Sequence, residues 1–193
     1  MSLRFEQLTP DNEHLVIQGC REGNLNAQKT LYKALSAKMF AVCLRYASDY
    51  HNAEDILQDG FIKVFKNIDK YRGEGSFEGW IRRIFVNTSI EQYRKNIKMY
   101  AVSAIEDTNI ANHDSSILDT LMTEDLVALI QTLSPGYKTI FNMYVMEGMS
   151  HKEIAAELGI TEGTSKSQLA RARAILQSKI EKTNKISTDI KEL

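Results

Sequence analysis

Lys166, Ser167, Gln168, Ala170 and Arg171, with Arg173 on the flank, share the outward face of one amphipathic stretch. From Thr164 to Lys182 its bases are Lys166, Arg171, Arg173, Lys179 and Lys182, against only Glu181. Arg, Lys and Gln on one helix face can hydrogen-bond base edges in a DNA major groove, and further cations can grip phosphate. That chemistry requires a helix held at a fixed angle to a partner. Residues 150–176, SHKEIAAELGITEGTSKSQLARARAIL, carry the supports of a helix-turn-helix. Ser150 and Glu153 form a capping box that opens the first helix. Ala155 is the small residue where the helices cross, and Gly159 can turn the chain in a left-handed conformation. Ile160 follows the turn, Thr161 caps the second helix, and Leu169, Ala172 and Leu176 form its inward stripe. Ser165 occupies an inward position where a β-branched apolar residue is expected. Its hydroxyl is expected to bond back to the preceding turn.

Two more groups of residues have chemical content. Between Tyr71 and Lys98, aromatics alternate with bases: Tyr71, Arg72, Phe77, Trp80, Arg82, Arg83, Phe85, Tyr93, Arg94, Lys95 and Lys98. Aromatic faces stack on unpaired bases while cations track the backbone, so the stretch suits an opened strand. Phe77, Ile81, Ile84 and Phe85 recur at helical spacing and belong to a core. Asp55, Asp59 and Ile62 lie opposite Leu57, Phe61 and Phe65 on one helix, with Gln58 beside them. An outward isoleucine among acids and an amide marks a partner surface.

Metal or covalent catalysis has no comparable support. His14, His51, His113 and His151 are scattered without metal-ligand spacing. Cys20 and Cys43 have no CxxC or CxxH neighbour and read as reduced structural thiols. No metal, no cofactor and no catalytic residue is expected, and the chain is read as a non-enzyme.

The elements that must position these groups are helical. A short helix starts near Leu15 after Thr9-Pro10-Asp11. Residues 25–48 follow, with Leu31, Leu35, Met39, Val42 and Tyr46 on one face. Asn52 is expected to cap a third helix striped by Leu57, Phe61, Val64, Phe65 and Ile68. Lys70 to Ser76 forms a loop around Gly73 and Gly75, and a fourth helix spans 77–97. No Lys or Arg occurs from Tyr100 to Tyr137, and Ser103 to Ser116 is polar and aperiodic. This stretch reads as an acidic linker. Leu118, Leu121, Leu126, Leu129, Ile130 and Leu133 form the next helix. Ser134-Pro135 restarts another, which carries Ile140, Phe141, Tyr144 and Val145 to Gly148. The last helix runs to about Lys182, and the tail is polar and frayed.

The fold class is therefore all-α: two small helical domains joined by an acidic linker. Expected boundaries are 10–98, 99–117, 118–182 and a tail at 183–193. The 193 residues include 43% hydrophobic and 25% charged residues, and only 2 prolines. That composition excludes wholesale disorder and disfavours an all-β fold. The formal net charge of -1 argues against a coat of positive charge. It is compatible with two basic patches offset by the acidic linker. The first residues have no apolar core and the longest apolar run is short, so a cytoplasmic protein without signal peptide or membrane span is expected.

Taken together, these motifs resemble the sigma factors of RNA polymerase. More narrowly, they resemble the extracytoplasmic-function group of the sigma-70 family, which keeps only regions 2 and 4. The resemblance spans about residues 13–182. Asn52-Ala-Glu-Asp-Ile-Leu-Gln-Asp-Gly-Phe61 is similar to the region 2 helix that docks on core polymerase. The resemblance implies that Asp55, Gln58, Asp59, Phe61 and Ile62 face the polymerase, with Asp59 where Glu is usual. Phe77 to Thr88 is similar to the promoter-melting helix that reads the -10 element. The implied -10 contacts are Tyr71, Arg72, Ser76, Trp80, Arg82, Arg83, Asn87, Arg94 and Lys95, the loop Tyr71 to Ser76 receiving a flipped base. Gly163 to Arg173 resembles the region 4 helix that reads the -35 element, through Thr164, Lys166, Ser167, Gln168, Ala170, Arg171 and Arg173. Gln168 and Ala170 stand where many members carry Arg and His.

Implied partners are core RNA polymerase, through its clamp helices and flap, promoter DNA, and an anti-sigma factor that can hold the chain at a membrane. No small-molecule substrate is implied. Two other readings stay open on the residues alone. One is a DNA-binding regulator that uses residues 134–182 for DNA and the first half as a ligand sensor. The other is a helical enzyme bearing an incidental helix-turn-helix.

Overall fold

The computed structural model describes residues 7–103 and 122–191. The chain divides into two compact units, Met1–Gln92 and Tyr93–Leu193. All regular elements among the described residues are helical.

The first unit begins with α1 (Glu13–Arg21) and α2 (Leu25–Tyr46). Between them Asn24 caps α2, its side-chain oxygen accepting the Asn26 and Ala27 N–H groups. The stripe Leu31, Leu35, Met39, Val42 and Tyr46 is buried as its spacing requires. Next comes α3 (Tyr50–Asn67). Its cap is Asp49, which accepts the Asn52 N–H at 2.8 Å, so the helix starts before the expected Asn52. Asn52 instead accepts the Ser48 N–H from within the first turn. Both side chains compete for one helix start, and Asp49 has the extended backbone that a cap needs. A 3-10 turn, Ile68–Lys70, and the loop to Ser76 lead into α4 (Phe77–Ser103).

At the centre of this unit α3 and α4 approach closely. Phe61 and Phe85 meet edge to face at 5.1 Å, and Tyr32 of α2 lies 4.6 Å from Phe61. Gly60 permits the approach: a Cβ there would sit 2.2 Å from the Phe85 ring. Thr88 and Ser89, two polar side chains buried on α4, are satisfied within the helix. Thr88 donates to the Ile84 carbonyl and Ser89 to the Phe85 carbonyl. Cys20 and Cys43 are free and buried. Burial pushes their thiols up to about 11 and about 12, which keeps them protonated and unreactive.

Within α4 the helix continues past residue 97 to Ser103, into the start of the expected linker. The rest of that linker, with Leu118 and Leu121, lies outside the described residues. The second unit contains α5 (Met122–Gln131), α6 (Pro135–Phe141), α7 (His151–Leu158) and α8 (Glu162–Lys191). Pro135 opens α6 as expected, but the Ser134 side chain makes no capping bond. The helix expected to reach Gly148 changes at Asn142 into a π-helical turn, Asn142–Met146. Gly148 then turns the chain with φ 68°. The helix α8 continues to Lys191, into the tail that the composition marks as frayed. Leu133, Ala172 and Leu176 form a buried cluster, with Leu129, Tyr137, Phe141 and Ile175 packed against it.

Candidate nucleic-acid interface

The helix-turn-helix forms as its sequence requires. Ser150 accepts the Glu153 N–H at 3.2 Å, and Glu153 accepts the Ser150 N–H at 2.8 Å. The two bonds satisfy donors that the first turn of α7 would otherwise leave open. The Ser150 contacts hold the Glu153 carboxyl below its ordinary value. Gly159 ends α7 at φ 67°, and its N–H bonds the Ala155 carbonyl. Thr161 starts α8 by accepting the Thr164 N–H at 3.0 Å. Ala155 and Leu169 are buried, and so are Ala172 and Leu176, which cluster with Leu133.

Burial of that stripe leaves Lys166, Ser167, Ala170, Arg171 and Arg173 exposed along α8, as an interface with DNA demands. Thr164 and Gln168 are half-buried. Thr164 is occupied by the Thr161 cap, and Gln168 lies close to Gly136 of α6. Arg171 donates to the Tyr137 hydroxyl, which raises its already high pKa. The guanidinium therefore stays charged.

Ser165 departs from expectation. Its side chain is fully buried, but its hydroxyl meets His151 Nδ1 at 2.9 Å rather than bonding back along its own helix. The bond ties the two helices of the motif together. Sequence reading missed it because the partners are fourteen residues apart. The signal was present as a polar residue in each helix, His151 and Ser165, on facing positions.

In the first unit the loop Tyr71–Ser76 is built from internal contacts. Gly73 and Gly75 have φ of 79° and 82°, a region that side chains rarely adopt. Tyr71 is buried, packs on Phe77 and Trp80, and donates its hydroxyl proton to the Gly75 carbonyl at 2.8 Å. Arg21, at the end of α1, donates to the Tyr71 carbonyl at 2.7 Å. Nothing in the local pattern around Arg21 signals this brace, fifty residues away in sequence. Ser76 accepts the Gly79 N–H at the start of α4. Arg72 is exposed on the loop. Trp80, Arg83 and Asn87 follow one another on one side of α4, with Trp80 half-buried and the other two exposed; Arg82, on another side of the helix, is half-buried. Arg94 and Lys95 belong to the second unit, where Arg94 pairs with Glu157 at 3.4 Å.

On α3, Asp55, Gln58 and Asp59 are exposed, and Ile62 retains 50% of its surface. They form one polar face around an apolar side chain. Phe61 is different: at 3% exposure it is the core contact between α2, α3 and α4 and supports that face from behind. Among the described residues, no group of three His, Cys, Asp or Glu side chains could hold a metal. Nor is any helix there long and apolar enough to cross a membrane.

These features define a two-unit helical protein with a helix-turn-helix in its second unit. Comparison with known proteins carries that class to a family. Residues 31–98 match the model of sigma-70 region 2, and residues 123–176 match that of sigma-70 region 4. The chain is 31% identical over 150 residues to the ECF RNA polymerase sigma factor SigE of Mycolicibacterium smegmatis, covering 75% of this chain and 58% of that protein. It is 28% identical to the ECF RNA polymerase sigma-E factor of Haemophilus influenzae, over 91% of this chain and 97% of that one. Among solved structures, the sigma factor RpoE in complex with the anti-sigma factor NepR from Bartonella quintana aligns at TM-score 0.44 and 24% identity, over 89% of this chain and 95% of that one. The chain belongs to the extracytoplasmic-function group of the sigma-70 family.

Proposed function

We propose that this chain directs core RNA polymerase to specific promoters and starts transcription there, without catalytic activity of its own. One observation carries the reading. The buried supports of the helix-turn-helix leave an uninterrupted exposed edge of Lys166, Ser167, Ala170, Arg171 and Arg173, inside the segment that matches region 4. In this reading α8 enters the major groove at the -35 element. Residues 10–98 read and open the -10 element through the loop Tyr71–Ser76 and the exposed side of α4. The face around Ile62 docks on the clamp helices of polymerase, while region 4 meets the flap. A net charge of -1 fits a subunit that grips DNA firmly only when polymerase holds both readers.

The chain works in the cytoplasm, and an anti-sigma factor that covers the exposed faces of the two units would hold it inactive, in some settings at a membrane. The linker at 99–117 threads the basic RNA exit path of the polymerase, its acids imitating nucleic acid. Neutralising Glu106, Asp107 and Asp114 should then reduce initiation; unchanged polymerase affinity and initiation would remove that role.

The deciding experiment is run-off transcription with purified core polymerase over a genomic fragment library. Discrete products that depend on the chain are expected. Their absence with folded, polymerase-bound protein overturns the reading. A DNA footprint without polymerase would instead favour a regulator that reads DNA through residues 134–182 alone.

A further inference from the structure

The His151–Ser165 bond is one end of a longer arrangement in the second unit. The His151 ring stacks on Tyr144, with centroids 4.6 Å apart and planes inclined by 26°. Tyr144 sits in the π-helical turn, a widened turn that breaks α register ahead of the helix-turn-helix. The guanidinium carbon of Arg173 lies 5.5 Å from the centre of the same Tyr144 ring. Three segments therefore meet at one aromatic side chain: the π turn, the first turn of α7 and the exposed edge of α8. The sequence of contacts runs from buried to exposed. Ser165 is fully buried, His151 and Tyr144 are half-buried, and Arg173 is exposed.

We propose that Tyr144 is a positioning residue for Arg173, with Ser165 and His151 fixing the ring on which the guanidinium rests. The proposal builds on the reading of α8 as the DNA-contacting helix and assigns Arg173 to a backbone phosphate. A long arginine side chain on an open helix face loses rotamer freedom when it is captured by phosphate. A cation–π contact restricts the guanidinium beforehand and keeps it forward of the helix. The ring itself must then be held, which neither an apolar Ser165 replacement nor an alanine at residue 151 would do. This accounts for a buried hydroxyl at a position where packing alone favours an apolar side chain.

The contact and the support give different signatures. The test uses full-length chain bound to core polymerase. The probe is the duplex fragment that this holoenzyme retains from sheared genomic DNA, titrated across a salt series. Arg173→Ala should weaken binding and lower the log–log salt slope by about one, the mark of a lost phosphate contact. Tyr144→Leu should weaken binding about two- to fivefold and leave the slope unchanged, because Arg173 still reaches the phosphate but is no longer preplaced. Tyr144→Phe should restore wild-type affinity. Adding Tyr144→Leu to Arg173→Ala should cost nothing further.

Full additivity in the double variant, or equal loss from the Leu and Phe variants, overturns the positioning role. If Tyr144→Leu does not melt cooperatively, His151→Ala replaces it. A loss of about twofold is then expected in the wild-type background and none in the Arg173→Ala background. An unaltered affinity and slope in Arg173→Ala overturn the proposal by removing the phosphate contact. They leave the reading of α8 to be judged on Arg171 and Lys166, so the two failures are distinguishable.

Discussion

The two proposed readers of this molecule are built on opposite plans. In the first unit, the loop Tyr71–Ser76 turns its polar groups on itself. The Tyr71 hydroxyl is bonded to Gly75, its carbonyl to Arg21, and Ser76 to the first turn of α4. Its surface is a shape, set by two left-handed glycines and an aromatic base of Phe77 and Trp80. In the second unit, α8 turns its apolar stripe inward and displays separate side chains on a regular scaffold. The contrast suits the two proposed chemistries. A base lifted from a strand must be enclosed to offset the lost stacking, whereas intact duplex already presents its edges to a helix. The loop should therefore fail when its supports are removed, and the helix when its displayed groups are.

The largest effect should come from the deepest support. Gly60→Ala places a methyl group against Phe85, a fully buried ring. Overpacking of that kind costs about 1–3 kcal/mol. Denaturant unfolding of the first unit should shift accordingly, and Phe85→Leu in the same chain should recover part of the loss. On the displayed side, Arg171→Ala should cost about 1–3 kcal/mol of holoenzyme affinity and relax preference at one base pair, if the guanidinium binds a base edge bidentately. A uniform loss across probe sequences would assign it to phosphate instead. Tyr137→Phe removes its resting partner and should have a smaller effect in the same direction.

Arg21→Met tests the loop at long range. It removes one charge-assisted hydrogen bond to the Tyr71 carbonyl while leaving every loop residue in place. About 1 kcal/mol of discrimination among single-strand probes of different sequence should be lost. Duplex binding by the second unit should not change. Retained discrimination would show that the glycines and aromatics hold the loop unaided.

How much of this was legible in the sequence follows from the range of the interactions. The capping box at Ser150, the turn at Gly159 and the stripe of Leu169, Ala172 and Leu176 are local. Each is where the periodicity places it. The outward position of Ile62 was legible for the same reason. The cap of α3 was misplaced by three residues because Asp49 and Asn52 are both competent caps, and only the backbone at Asp49 decides between them. The π turn left no mark in the apolar pattern of Ile140, Phe141, Tyr144 and Val145. The Arg21 brace, the Gly60–Phe85 approach and the Ser165–His151 bond all join segments that only the folded chain brings together. Ser165 was read as bonding back to the preceding turn, yet in the fold its hydroxyl meets the other helix of the motif.

The smallest effect expected is also the one that separates the units by pH. Glu153 accepts hydrogen bonds from Ser150, and its carboxyl is held below the ordinary glutamate value by them. A carboxyl with a depressed folded value binds its proton more readily in the unfolded chain. Its contribution to stability is therefore complete above the ordinary value of about 4.3. It is lost as pH falls from there through the depressed folded value. The group is exposed, so the change is slight and is read as a slope rather than a transition. Melting of the second unit should soften over that acid range in the wild-type chain and soften less in Glu153→Gln, which keeps an acceptor but cannot titrate. The first unit, whose caps Asn24 and Asp49 lie on other helices, should respond identically in the two chains. An equal acid response of the second unit with and without Glu153 would mean that its helix-turn-helix is held by the buried stripe and the Ser165–His151 bond, with the capping box contributing no measurable stability.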